Sequence, residues 1–189
     1  MKTHSNLSED EKGNDVIANE PVDAQKMARA SRILLALQEE LKDHIANGSG
    51  PFLAAIYNPQ GVLLAKASNS VVLDNCSHCH AEMNAIKQAE EKLQTFDLSP
   101  YHLSLYVTSE PCLMCLGGIM WSGVKEVYYS VPSRRVEEIT GFDEGFKPGW
   151  PNEFKKRGIT VYGNIERLAG EEVLKSYVQQ NRKIYKPAQ

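Results

Sequence analysis

The sequence has no run of apolar residues approaching the roughly 18 needed to span a bilayer, so no membrane helix is expected. It also has no excess of positive charge. Its 21 Lys and Arg against 24 Asp and Glu leave a formal net charge of -3, which argues against a broadly basic nucleic-acid surface. The basic cluster Lys155-Lys156-Arg157 has no interleaved aromatics and reads as a solvated face, so a nucleic-acid partner is not expected. Cysteine is sparse, and the four present fall as two C-x-x-C pairs, Cys76/Cys79 and Cys112/Cys115. Residues 1–20 are polar and acidic without an apolar stretch; they read as a mobile arm, neither signal peptide nor anchor. With no export signal, paired cysteines point to reduced thiols and metal, and to a cytoplasmic location by default. No repeat or long linker divides the 189 residues, so one domain over 21–189 is expected.

What is present alternates between helical and strand periods. From Val22 to Ala46, residues such as Ala30, Leu34, Leu37, Leu41 and Ile45 recur at three and four, the mark of an amphipathic helix. Asn47 to Pro51 ends it, and Phe52–Tyr57 and Val62–Lys66 read as a hairpin across Asn58-Pro59-Gln60-Gly61. A polar loop, Ala67–Ser77, leads to a helix over Cys79–Leu93. Then follow a strand at Leu103–Thr108, a helix opened by Pro111 and running to Trp121, and a strand at Lys125–Ser130. A short helical stretch through Val136 and Ile139 precedes the loop Gly141–Gly145; Lys147–Pro151 reads as irregular. A fifth strand at Ile159–Tyr162 and a closing helix over Glu171–Arg182 complete an α/β pattern with a mixed sheet between helical layers.

Two phrases carry the chemistry: His80-Ala81-Glu82 and Pro111-Cys112-Leu113-Met114-Cys115. One imidazole and two thiolates hold Zn2+ on three sides and leave the fourth open, as catalytic zinc requires. His80 and Glu82 are two apart, so both can address one site only from the first turn of a helix. Cys112 and Cys115 share a face at a second helix start, where partial positive charge favours thiolates. His80 neutral plus two thiolates cancels the dication, whereas four thiolates would leave a site poor at acidifying water. Glu82 is then the spare acid beside the metal. Competing readings pair Cys76/Cys79 with Cys112/Cys115 in a structural zinc site, put Cys79 in place of His80 as a ligand, or leave Cys76 and Cys79 as plain thiols near the pocket.

These phrases, with Gly50-Pro51-Phe52, Asn69 and Ser109-Glu110, resemble the cytidine and deoxycytidylate deaminase superfamily, in its purine-acting branch of guanine and tRNA adenosine deaminases. Ile119–Val124 and Ile139–Gly145 resemble the bacterial guanine deaminases, and the resemblance runs from Gly50 to Tyr185. It implies a three-layer α/β/α cytidine-deaminase-like fold around a five-stranded mixed sheet. It further implies one catalytic zinc on His80, Cys112 and Cys115, with Glu82 and Glu144 as the acid/base pair. Asn69, Ala81, Phe52, Trp121 and Tyr185 would bind the base, Tyr185 from the same subunit or its partner, and the assembly would be a homodimer. For Phe52 and Trp121 the plain alternative is a place in the core or wall. The implied activity is hydrolysis of guanine to xanthine and ammonia. Alternatives are a tRNA adenosine, nucleoside or aminotriazine deaminase, or a catalytically silent zinc-stabilised binding module. His78-Cys79-His80 departs from the Thr-Ala-His of many relatives. His78, with His4, His44 and His102, has no convergent partners in sequence and reads as surface or structural.

Overall fold

A computed structural model describes residues 16–17, 23–145 and 147–186. Apart from Val16 and Ile17, the expected arm over 1–20 lies outside the described residues. A mixed sheet forms the middle layer: β2 (Leu53–Tyr57), β3 (Leu63–Ser68), β4 (Ser104–Ser109), β5 (Glu126–Val131) and β6 (Thr160–Tyr162), in the order β6-β5-β4-β2-β3. Strands β4, β5 and β6 run parallel, and β2 lies antiparallel to both β3 and β4. The expected five strands are joined by a sixth, β1 (Val16–Ile17), which pairs antiparallel with β6. Two β-branched residues in an otherwise polar stretch suffice to cover an edge that would offer unpaired backbone groups.

Helices α1 (Ala24–Ala46), α3 (Ala81–Leu93), α4 (Leu113–Ser122), α5 (Ser133–Thr140), α6 (Trp150–Lys156) and α7 (Arg167–Gln179) flank the sheet, and α2 (Val71–Asp74) is one short turn within the polar loop. Alternation along the strands sorts them between two cores. Ala54 and Ile56 pack with Ala85, Ile119 and Phe154 on one face, while Leu53 and Ala55 pack with Leu34, Val136 and Leu174 on the other. The layers are therefore α3-α4-α6, sheet, α1-α5-α7. Tyr106, Tyr128 and Tyr162, in register across β4, β5 and β6, stack with ring centroids 4.6 and 4.8 Å apart. Such cross-strand aromatic pairs reinforce the ladder beneath them.

Local chemistry accounts for the boundaries. Asp23 caps α1 by accepting from the backbone N–H groups of Gln25 and Lys26. The β2–β3 turn is closed by Gly61 N–H to Asn58 O at 2.9 Å, with Asn58 Oδ1 accepting from Val62 N–H. Three expectations need correction. Pro111 does not open α4: Cys112 is the N-cap, and Pro111 stands one residue before it. The stretch read as irregular contains the start of α6, where Gly149 in the left-handed region turns the chain and Pro151 occupies the first turn. Helix α7 begins at Arg167, four residues before Glu171; Gly170 in its first turn reads in sequence as a break, whereas it lies close against Val131 and Gln38.

A buried polar clamp joins the segments that lead into the site. Lys147 Nζ donates to Glu110 Oε1 at 2.8 Å, to Pro111 O at 3.0 Å and to Ser133 Oγ. The second Glu110 oxygen accepts from Ser133 N–H at 2.9 Å, and Glu110 N–H donates to Val131 O. With the Lys147 and Glu110 side chains only 8% and 11% exposed, removing one charge strands the other. Lys147→Met is expected to lower the free energy of unfolding by about 3 kcal/mol, measured by urea denaturation. A change within error would mean that the pair does not hold these loops.

Candidate active site

Chain direction brings the two chemical phrases together. His80 and Cys112 are the N-caps of α3 and α4, both in extended backbone conformation and neither capping its helix with its side chain. Their side chains are thus free to turn inward. Cys112 Sγ lies 3.4 Å and Cys115 Sγ 3.6 Å from His80 Nδ1, and the three ligand atoms fall within 4.8 Å of one another. Tetrahedral bonds of about 2.3 Å to sulfur and 2.0–2.1 Å to nitrogen set such edges near ~3.6 Å. The donor set and spacing therefore fit zinc with one position left open.

Electrostatics agree with that fit. Hydrogen bonding from the Cys115 thiol, helped by His80, holds the Cys112 thiol down to about 4. Cys112 and burial push Cys115 in the opposite direction. A dication between the two sulfurs resolves this competition, because both then ligate as thiolates. At His80, burial is the largest single effect and disfavours the charged ring, but the hydrogen bond and charge of Cys112 together with the charge of Glu82 outweigh it, and the imidazole shifts upward.

Beside this cluster opens a cavity of ≈ 460 Å³, within the ~300–1,000 Å³ range of small-molecule sites. Its wall includes Phe52, His80, Glu82, Phe142, Glu144 and Tyr185. Glu82, on the first turn of α3, is buried, and burial together with the Cys112 sulfur raises its carboxyl to about 7. Glu144 is likewise buried and shifted well upward, first by burial and then by Cys112. Its loop is fixed by its neighbours: Glu144 O accepts from Leu113 N–H at 3.1 Å, and Glu144 N–H donates to Glu137 Oε1. Gly145 permits the approach, with φ +77 and space for a Cβ only 3.0 Å from that of Leu113. Two protonatable carboxyls and an open-sided metal site thus share one cavity, an arrangement suited to moving protons around an attacking water.

The other expected residues divide. Ala81 is fully buried at the first position of α3, next to the cluster. Phe52 meets Phe142 edge-on at 5.4 Å in the cavity wall. Tyr185 reaches the cavity of its own chain, 4.8 Å from the Phe142 ring and 6.4 Å from that of His80. Asn69 is fully buried and accepts from Val71 N–H through Oδ1, while Nδ2 has no partner. It flanks Gly50 together with Tyr185: a Cβ on Gly50 would lie 2.7 Å from Asn69 Oδ1 and 3.0 Å from Tyr185 Cε1. Trp121 is a correction. It is 89% exposed and stands outside the cavity wall, because α4 turns Cys115, Leu116, Ile119 and Ser122 inward.

Phe142 and Ser109 line the cavity too, and sequence reasoning gave them no role. Ser109 Oγ, like Tyr185 Oη and Asn69 Nδ2, is buried without a partner. The only available sign for Phe142 was its position between Gly141 and Glu144, and for Ser109 its place before Glu110-Pro111.

Comparison with known proteins extends this picture. The model of the cytidine and deoxycytidylate deaminase zinc-binding region matches residues 27–131. The guanine deaminase of Bacillus subtilis (strain 168) is 33% identical over 128 residues, 68% of this chain and 70% of its own. A guanine deaminase structure from Nitrosomonas europaea superposes with TM-score 0.75 at 38% identity, covering 85% of this chain and 89% of that one. A structure in complex with 2,6-diaminopurine gives TM-score 0.77 at 38% identity over 89% of each chain. tRNA-specific adenosine deaminases are also among the relatives. A fold of three layers, an open His-Cys-Cys metal site, a paired-acid cavity and these similarities together place the chain in the cytidine and deoxycytidylate deaminase family of zinc-binding proteins.

Proposed function

We propose that this protein hydrolyses guanine to xanthine and ammonia. The observation that carries the reading is the pairing of Glu82 and Glu144, both buried and both shifted upward, on a cavity also lined by His80 and Cys112, with Cys115 converging on those two ligands. Relatives named as guanine deaminases, and a similar chain that binds 2,6-diaminopurine, support the purine base as the occupant.

His80, Cys112 and Cys115 would hold the zinc, which would supply the Lewis acidity that lowers a water's pKa to about 7. Glu82 would accept a proton from the attacking water and pass it to a ring nitrogen of the base, and Glu144 would carry a proton to the amine, which leaves as ammonia as the water's oxygen takes its place on the carbon. The atoms balance as guanine plus water giving xanthine plus ammonia. Phe52 and Tyr185 offer aromatic faces to the ring, and the unpartnered Asn69 amide offers a donor to its polar edge. Ala81, at the first position of α3, would add a helix-terminal N–H.

The described residues contain no helix long and apolar enough to cross a membrane. Four free thiols accord with a cytoplasmic location, and a guanine substrate would give the protein a place in purine metabolism. We read residues 21–189 as one domain. On α4, Leu113, Met114 and Trp121 are exposed on one side. We read that face as the contact with a second copy of the chain.

Two outcomes test this reading. Purified protein should release ammonia from free guanine and leave adenosine in tRNA anticodon stems unchanged. Glu82→Gln should lower the rate by at least ~10²-fold with zinc content unchanged. Inosine formation in tRNA with guanine untouched would favour the tRNA reading, and an inert wild-type protein with bound zinc would favour a silent binding module. For assembly, Trp121→Glu is expected to convert a dimer into a monomer in light scattering, whereas a monomeric wild-type chain would remove the dimer.

A further inference from the structure

Among the described residues, one other group of soft ligands converges besides His80, Cys112 and Cys115. Cys76, His78 and Cys79 each present one ligand atom, all within 4.8 Å of one another. Cys76 Sγ lies 3.4 Å from the His78 ring nitrogens, close to the ~3.6 Å edge of a tetrahedral zinc site. We propose that these three residues form a second zinc site, separate from the catalytic cluster and built at the rim of the same cavity.

The backbone prepares the turn. Asn75 ends α2 in the left-handed region, and Cys76 N–H donates back to Val71 O at 3.1 Å. Cys79 N–H then closes onto Cys76 O at 3.1 Å, and Cys79 O accepts from Ser70 N–H at 2.9 Å. The C-x-x-C loop is thus folded so that its two sulfurs face a common point before any ion arrives. Cys76 and Cys79 are half-buried and His78 is exposed, so an ion reaches them directly from solvent.

The donor set selects the occupant. Two thiolates and an imidazole are poor ligands for Mg2+ or Ca2+ and good ones for zinc, whose charge two thiolates and a neutral ring cancel. Three protein ligands leave the fourth position to water. Ser77, between two of the ligands, lines the cavity, so filling this site pins part of its rim.

The count of bound metal tests this independently of any substrate. Full-length protein saturated with Zn2+ under reducing conditions and passed through a desalting column should carry two zinc ions per chain by mass spectrometry of the metal. The Cys76→Ser/Cys79→Ser double variant should carry one. Titration with Co2+ should show thiolate charge-transfer absorption growing through two equivalents in the wild type and through one in the variant. Equal metal content in the two proteins overturns the proposal. So does a wild type with one ion and a variant with none, since Cys79 would then belong to the catalytic centre.

Discussion

The structure depends on two helix starts meeting at one point. His80 and Cys112 are N-caps whose side chains leave their own helices uncapped, and each therefore gives up a stabilisation of about 1 kcal/mol that a capping side chain would provide. What they gain is convergence: an imidazole, two sulfurs and the positive ends of two helices around one small volume. Strand β4 ends where the Cys112 phrase begins, β2 and β3 deliver the loop before His80, and the sheet fixes their separation.

Around that point the molecule buries polar groups that an ordinary core would exclude. Glu82, Glu144, Asn69 and Ser109 are all nearly inaccessible, and three buried polar atoms at Asn69, Ser109 and Tyr185 lack partners. Such groups cost stability unless a ligand satisfies them. Glu82, Glu144, Ser109 and Tyr185 line one cavity, and with the Lys147–Glu110 clamp holding the adjoining loops, folding stability is exchanged there for binding and proton transfer. On the opposite face, the stacked tyrosines and the packing of α1, α5 and α7 against the sheet are dense and largely apolar.

The sequence made the site more legible than its surroundings. His80, Glu82, Cys112 and Cys115 could be placed because two-residue and three-residue spacings have only one common solution, a pair of helix starts. The layer order followed from alternating periods. The resemblance put Trp121 beside the base and its apolarity put it in the core or wall, whereas the inward packing of Cys115 and Ile119 leaves it exposed. Helix α6 was hidden because Gly149 and Pro151 look like breakers when they are a turn and a first-turn residue. Strand β1 was too short to carry a period, and Phe142 joined the cavity through a loop path that no local pattern encodes.

The central claim is that His80, Cys112 and Cys115 form an open-sided zinc centre facing a purine pocket. The most direct measurement is anomalous diffraction at the zinc edge from crystals grown with a guanine analogue. The account predicts a peak bonded to His80 Nδ1, Cys112 Sγ and Cys115 Sγ, with the analogue in the cavity between Phe52, Glu82 and Glu144. A zinc held by all four cysteines, with no protein-free position facing that cavity, would contradict it.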